Sequence, residues 1–360
     1  MSPFPRPDYR ELSTYHFDRS PIDVDLSDNT NQWGAHPAAA AALMAAVDEG
    51  LARYPELYAD ALRDAVAERL GVPAACVTTG CGSDDVLDSA FRAAAGPGAA
   101  MSYAAPTFAM VAPLARMNGM AARAVAWERA LASPETLLEG EPSLIYVCRP
   151  NNPTGHLAPS LWVERLLDLA DTTGPLVVLD EAYVDFGADS FVRHAVERPR
   201  LLVTRTLSKA YGLAGLRVGY GVAAADVARE VEKSRGPYKV SRVATRAAAA
   251  AVRDREGWVA RTVAECVSCR ERLTRELRTR GLSPRESFTN FILFRAPGGD
   301  AGADSAALRA RGVAVRPFAG AWDGGRDALR VTVAPWPLLE RFLEALDARL
   351  TELGEAEEAL

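Results

Sequence analysis

The sequence predicts an α/β protein: a mostly parallel sheet covered by helices, joined to a smaller α+β domain. Two observations carry this. Through the middle of the chain, short apolar runs alternate with longer helical patterns, the signature of a parallel sheet covered on both faces. From Trp258 onward the order changes to short strands flanked by long helices.

Taken in order, Leu57 to Leu70 reads as an amphipathic helix with Gly71 as its stop. A helical run follows from Asp85 to Ala95. Ser143 to Cys148, Pro175 to Leu179, Leu201 to Thr204 and Val218 to Val222 read as buried strands. The helical pattern Leu161 to Ala170 lies between the first two. In the last part, Phe291 to Phe294, Val313 to Val315 and Leu329 to Val333 are short strands. Trp258 to Thr279 and Leu338 to Leu353 are helices, and Glu355 to Leu360 is expected to be a frayed acidic tail. The predicted large domain is 45–255. The smaller one combines 1–44 with 256–360.

Composition sets limits on function. At ~150 residues per domain, 360 residues suggest two domains. Acids outnumber bases, 47 to 41, which argues against a binder held by nucleic-acid phosphates. No apolar run approaches the ~20 residues of a membrane span. The segment Met1 to Asp8 has no apolar core, so no secretory signal and a cytoplasmic location are expected. Cys266 and Cys269 form a lone C-x-x-C without the second pair a zinc site needs, so the five cysteines are expected to be reduced and no metal is expected. Only Lys209, Lys233 and Lys239 among the 41 basic residues are lysine. Chemistry that needs a primary amine has three candidates, because a guanidinium stays protonated.

In open α/β sheets ligands bind at the carboxyl ends of strands. Three successive strand ends here carry Arg149-Pro150-Asn151-Asn152-Pro153-Thr154-Gly155, Asp180-Glu181-Ala182-Tyr183 and Thr206-Leu207-Ser208-Lys209. An amide, a carboxylate, a phenol and an amine would meet at one rim. That set suits pyridoxal 5'-phosphate (PLP), which needs a lysine for its Schiff base and an acid against its pyridinium nitrogen. Gly80-Cys81-Gly82-Ser83-Asp84, ahead of a helix, could cradle its phosphate on free N–H groups. Ser208 and Arg217 could add a hydroxyl and a guanidinium.

These motifs resemble the fold-type I, PLP-dependent aminotransferases, and within them the histidinol-phosphate aminotransferases. Thr206 to Arg217 is similar to the class II signature, and the likeness runs from about Leu26 to Leu346. It implies the PLP aminotransferase large-domain fold. It further implies that Lys209 carries the cofactor, that Asp180 pairs with the ring nitrogen, and that Tyr183 and Asn152 bond the ring oxygen. Phe108 would stack on the ring. Gly82, Ser83, Thr206, Ser208 and Arg217 would surround the phosphate. Tyr54 would reach the cofactor of the neighbouring subunit, which implies a homodimer with shared sites. Arg330, Arg316, Asn31 and Tyr15 would bind substrate. The reaction implied moves an amino group between histidinol phosphate, or a similar amino compound, and 2-oxoglutarate.

Thr30 and Gln32 depart from the family's usual acidic residue and proline in the substrate segment. They leave open an aminotransferase for another aromatic or basic amino acid in specialised metabolism. A threonine-phosphate-type PLP decarboxylase shares the same motifs. A non-catalytic regulator ranks last, because only about twenty-five residues precede the region of likeness. Arg149, beside the rim, reads either as an added anion contact or as a surface charge.

Overall fold

The computed structural model describes residues 4–5, 7–10, 12–14, 18, 20–48, 51–94, 96 and 98–358. The strands in chain order are β1 (Val24–Asp25), β2 (Val77–Gly80), β3 (Ala100–Ala105), β4 (Ala121–Ala126), β5 (Leu144–Cys148), β6 (Leu176–Asp180), β7 (Leu201–Thr206), β8 (Gly219–Val222), β9 (Phe291–Arg295), β10 (Val313–Ala314), β11 (Arg316–Trp322) and β12 (Arg326–Thr332). Among the described residues, β2 to β8 form a seven-stranded sheet in the order β2–β8–β7–β6–β5–β3–β4. All its pairings are parallel except those of β8, which runs antiparallel to both β2 and β7.

The continuous apolar runs of β5, β6 and β7 follow from burial on both faces. Ile145, Val147, Val177, Leu179, Leu201 and Val203 pack into one core, beneath helices Asp60–Leu70, Ser160–Thr173 and Arg242–Arg253. Leu144, Tyr146, Val178 and Leu202 face a second core with helices Ser83–Ala94 and Ala225–Ser234. A third core joins the antiparallel sheet β11–β12–β9 to helices Trp258–Thr279 and Trp336–Glu358. β1 pairs in parallel with β10, so the segment around Val24 and Leu26 belongs to this third core.

Several boundaries differ from the sequence reading. The helix expected from Leu57 begins at Asp60, because Ala59 adopts φ 53° and breaks the preceding turn. It ends as expected at Gly71, whose left-handed φ of 67° lets its N–H reach Ala67 O. β1, β2, β3, β4 and β11 are strands beyond those the sequence pattern predicts. The last helix continues through Glu355–Glu358, where a frayed tail was expected, and residues 359–360 lie outside the described residues. No helix among the described residues is long and apolar enough to cross a membrane.

Candidate active site

The carboxyl ends of β5, β6 and β7 open into a cavity of about 440 Å³, closed from above by residues 27–30 and by β11 and β12. Such a volume is ordinary for a small-molecule site. Lys209, Asp180, Tyr183, Asn152, Phe108, Ser83, Thr206, Ser208, Arg217, Arg316 and Arg330 all line it.

Lys209 follows β7 on a loop held from the N-terminal segment. Asn31 Nδ2 donates to the carbonyls of Lys209 and Ala210, each at 3.1 Å. Gly212 permits the contact: at φ +66°, a Cβ there would stand 2.0 Å from Gly34 O. The Lys209 ammonium donates to Asp28 O at 3.2 Å, and burial pulls its pKa down to about 8.

Asp180 ends β6 and is 3% exposed. Its Oδ1 accepts from Ala182 N–H (3.1 Å) and Thr204 Oγ1 (3.3 Å), and its Oδ2 accepts from Tyr146 Oη (2.7 Å). Burial raises its pKa to about 6 despite these donors. Tyr183 stands edge-on to Phe291, and its hydroxyl accepts from Asn29 Nδ2 at 2.9 Å. Burial pushes the phenol well above its ordinary range.

The two arginines lie side by side because Arg316 on β11 pairs in register with Arg330 on β12. Arg330 Nη1 donates to Asn152 Oδ1 at 2.6 Å and Nη2 to Ser27 O at 2.8 Å. Its guanidinium carbon lies 5.1 Å from the Phe291 ring centre and 5.2 Å from that of Phe318. Aromatic faces and short hydrogen bonds hold its plane fixed.

At the far end, the helix Ser83–Ala94 starts against the edge of β8. Two glycines make the approach possible. A Cβ at Gly219 would stand 2.3 Å from Ser83 N, and one at Gly82 (φ +84°) would stand 2.7 Å from Arg217 Nη2. Thr206 Oγ1 donates to Ser208 Oγ at 2.9 Å, and Arg217 Nη1 lies 3.5 Å from the same hydroxyl. A helix N-terminus, two hydroxyls and a guanidinium thus converge at one end of the cavity.

Not every predicted residue meets here. Asn31 lies off the cavity, with its amide bonded to the Lys209 loop; Asn29 instead reaches Tyr183. Tyr54 is 79% exposed, away from its own chain's cavity, and stacks on Tyr238 with ring centres 4.8 Å apart. Tyr15 lies outside the described residues. Arg149 is neither an anion contact nor a surface charge. It is 1% exposed, donates to Ala158 O, Asp189 O, Ser160 Oγ and Asp189 Oδ1, and rests over Phe191. It fastens the strand end that carries Asn152. Asp28, Asp84, Cys148 and Phe318 line the cavity without having been singled out as site residues. Asp84 closes the run Gly80 to Asp84 and Asp28 lies three residues before Asn31, whereas nothing local marks Cys148 or Phe318. The five cysteines are free thiols, and no group of three metal-ligating side chains occurs among the described residues.

The family model Aminotransferase class I and II matches residues 21–346. The chain belongs to that family. It is a PLP-dependent aminotransferase acting on an amino compound and an oxo acid. A Nostoc sp. protein named histidinol-phosphate aminotransferase 1 is 33% identical, with 90% of each chain covered. A Streptomyces coelicolor protein named aromatic amino acid aminotransferase is 36% identical, with 92% of each covered. The histidinol-phosphate aminotransferase of Sinorhizobium meliloti, solved with pyridoxal-5'-phosphate, shares the fold with a TM-score of 0.83 at 24% identity, covering 99% of each chain. The glycine-lined start of helix Ser83–Ala94, with the Thr206 and Ser208 hydroxyls and the Arg217 guanidinium, suits the phosphate of that cofactor. A half-buried amine and a buried carboxylate line the same cavity, suiting the aldehyde and the ring nitrogen.

Proposed function

We propose that this aminotransferase takes its amino group from histidinol phosphate and passes it to 2-oxoglutarate. The observation that carries the reading is the pair Arg316 and Arg330, set in register on one wall of the cavity. One guanidinium suits the phosphate of histidinol phosphate or the carboxylate beside the oxo carbon of 2-oxoglutarate, and the second suits the remaining oxygens of that phosphate dianion or the far carboxylate of 2-oxoglutarate. The name of the Nostoc relative supports the same donor. Phe108 and Phe318 on the cavity wall favour an aromatic amino acid as the second reading, as does the name of the Streptomyces relative.

In this reading Lys209 would hold the cofactor, with Asp180 at the ring nitrogen, Tyr183 and Asn152 at the ring oxygen and Phe108 against the ring. Gly82, Ser83, Thr206, Ser208 and Arg217 would hold the phosphate. Bound there, the cofactor supplies an electron sink for charge developing at the substrate α-carbon. Lys209 Nζ would take the proton from the substrate α-carbon and hand it to the carbon that carries the cofactor's aldehyde, and would run the same transfer in reverse for the oxo acid. Arg330, fixed by Asn152 and Ser27, orients the substrate so that its α-carbon faces that amine. Residues 45–255 would form the cofactor-bearing domain, with 1–44 and 256–360 closing the substrate side.

We further propose a cytoplasmic homodimer in which Tyr54 of one subunit reaches the phosphate held by the other. The exposed Met44, Leu51, Leu57 and Tyr238 in neighbouring stretches support an interface there. A donor screen tests the substrate. The PLP-loaded enzyme, given 2-oxoglutarate, should show its highest kcat/KM with histidinol phosphate. A higher value with phenylalanine or tyrosine would overturn that assignment in favour of the aromatic reading.

A further inference from the structure

Tyr146 does not line the cavity, yet it touches the most deeply buried acid there. It sits in the middle of β5, 0% exposed, and its hydroxyl donates to Asp180 Oδ2 at 2.7 Å. The parallel register of β5 on β6 sets Cys148 opposite Asp180, and β6 on β7 sets Thr204 opposite it. Side chains two apart on a strand share a face, so Tyr146, Cys148, Asp180 and Thr204 form one polar group on an otherwise apolar side of the sheet.

We propose that Tyr146 is a positioning residue that keeps Asp180 ionised and aimed, so that a shared proton rests on the cofactor's ring nitrogen rather than on the carboxyl. The proposal rests on the reading of Asp180 as the partner of that nitrogen. Its physical basis is the cost of burying a carboxylate. Desolvation favours the neutral acid, and a neutral acid facing a neutral pyridine is the competing arrangement. Hydrogen bonds to the carboxylate favour the ionised form instead. Of the side-chain donors, Tyr146 at 2.7 Å is closer than Thr204 at 3.3 Å. The phenol keeps its own proton, because burial and the adjacent Asp180 push its pKa well up. Cys148 does not compete for Asp180, since its Sγ donates to Pro150 O at 3.2 Å.

A space-filling phenol and a positioning phenol make different predictions. The enzyme is loaded with PLP carrying ¹⁵N in the ring, and the nitrogen chemical shift is read by NMR. Wild type should give the protonated pyridinium signal. Tyr146→Phe should move the signal toward neutral pyridine and weaken PLP binding by about ten-fold, the scale of one hydrogen bond to a charged group. Thr204→Val should move both less. A carbocyclic analogue of PLP, with C–H in place of the ring nitrogen, should bind wild type and Tyr146→Phe equally. An unchanged nitrogen shift, with only a lower Tm, would overturn the proposal. Asp180→Asn separates the two layers. If it moves the nitrogen signal and Tyr146→Phe does not, the role of Tyr146 fails alone. If Asp180→Asn also leaves the signal in place, the reading of Asp180 fails. Should Tyr146→Phe not fold, Tyr146→3-fluorotyrosine keeps the ring and strengthens the donor. It should then move the signal further toward pyridinium, and a shift toward neutral pyridine would contradict the proposal.

Discussion

Burial strips an ammonium of its hydration, and Lys209 carries this through to reactivity. Its pKa of about 8 means that a useful fraction of the amine is neutral near physiological pH, where an exposed lysine would be almost wholly charged. Only the neutral amine can attack the cofactor's aldehyde. The sign is therefore fixed: capture of PLP by the apoenzyme should speed up as pH rises through about 8 and level off above it. Stopped-flow absorbance at several pH values checks this, and a rate that still climbs about tenfold per pH unit beyond pH 9, as for an ordinary lysine near 10.4, would show that burial does not tune the amine. Borohydride reduction should then leave the label on Lys209, and label at Lys233 or Lys239 would refute the assignment. The scarcity of lysine made Lys209 legible in the sequence. Asn29 was not legible in the same way. It and Asn31 sit two apart in one polar stretch, and only the fold shows that Asn31 bonds the Lys209 loop while Asn29 reaches Tyr183.

At the scale of elements, the phosphate cradle depends on two glycines with different neighbours. At Gly82 the obstacle to a Cβ is the tip of the Arg217 side chain, which can swing away; at Gly219 it is the backbone of Ser83 and Gly82, which cannot. Gly82→Ala should therefore fold, at a cost of about 1–2 kcal/mol for its left-handed φ, but bind PLP more weakly because Arg217 is displaced. Gly219→Ala should lose mainly stability. Thermal melts of the apo forms and PLP titrations separate the two, and unchanged PLP affinity in Gly82→Ala would refute the cradle. The same scale shows where sequence reading stopped. β5, β6 and β7 were legible because burial on both faces leaves apolar runs that end in polar loops. β3 and β4 read Ala-Met-Ser-Tyr-Ala-Ala and Ala-Ala-Arg-Ala-Val-Ala, and alanine favours a helix when local propensity is all that is available. Their strand state is set by pairing with β5 and with each other, which no local pattern records. Tyr146 was hidden for a related reason. Within Leu-Ile-Tyr-Val-Cys it looks like a core aromatic, and its polar role depends on the register between two strands 32 residues apart.

For the whole molecule, Tyr54 poses the decisive question. It is exposed, lies off its own chain's cavity, and stacks on Tyr238, whose backbone has the left-handed φ of 59°. A bulky residue held in that region signals a turn fixed by its surroundings. Tyr238 N–H donates to Leu57 O at 3.2 Å, and Arg242 donates to Tyr54 O at 3.2 Å, so the ring is presented outward on a braced loop. If it serves a neighbouring site, losing its hydroxyl in Tyr54→Phe should weaken PLP binding by about 10- to 100-fold, the range for a hydrogen bond to a charged group. Mixing chains tests the direction. A Lys209→Ala chain and a Tyr54→Phe chain are dissociated, mixed and allowed to reassociate. When Tyr54 acts across the interface, each mixed dimer has one site with both defects and one with neither, so activity at limiting PLP rises well above that of either parent. When Tyr54 acts within its own chain, every site in the mixed dimer carries one defect and mixing restores nothing. Recovery on mixing would therefore establish both the dimer and the sharing of its sites, while a flat result would confine Tyr54 to its own chain.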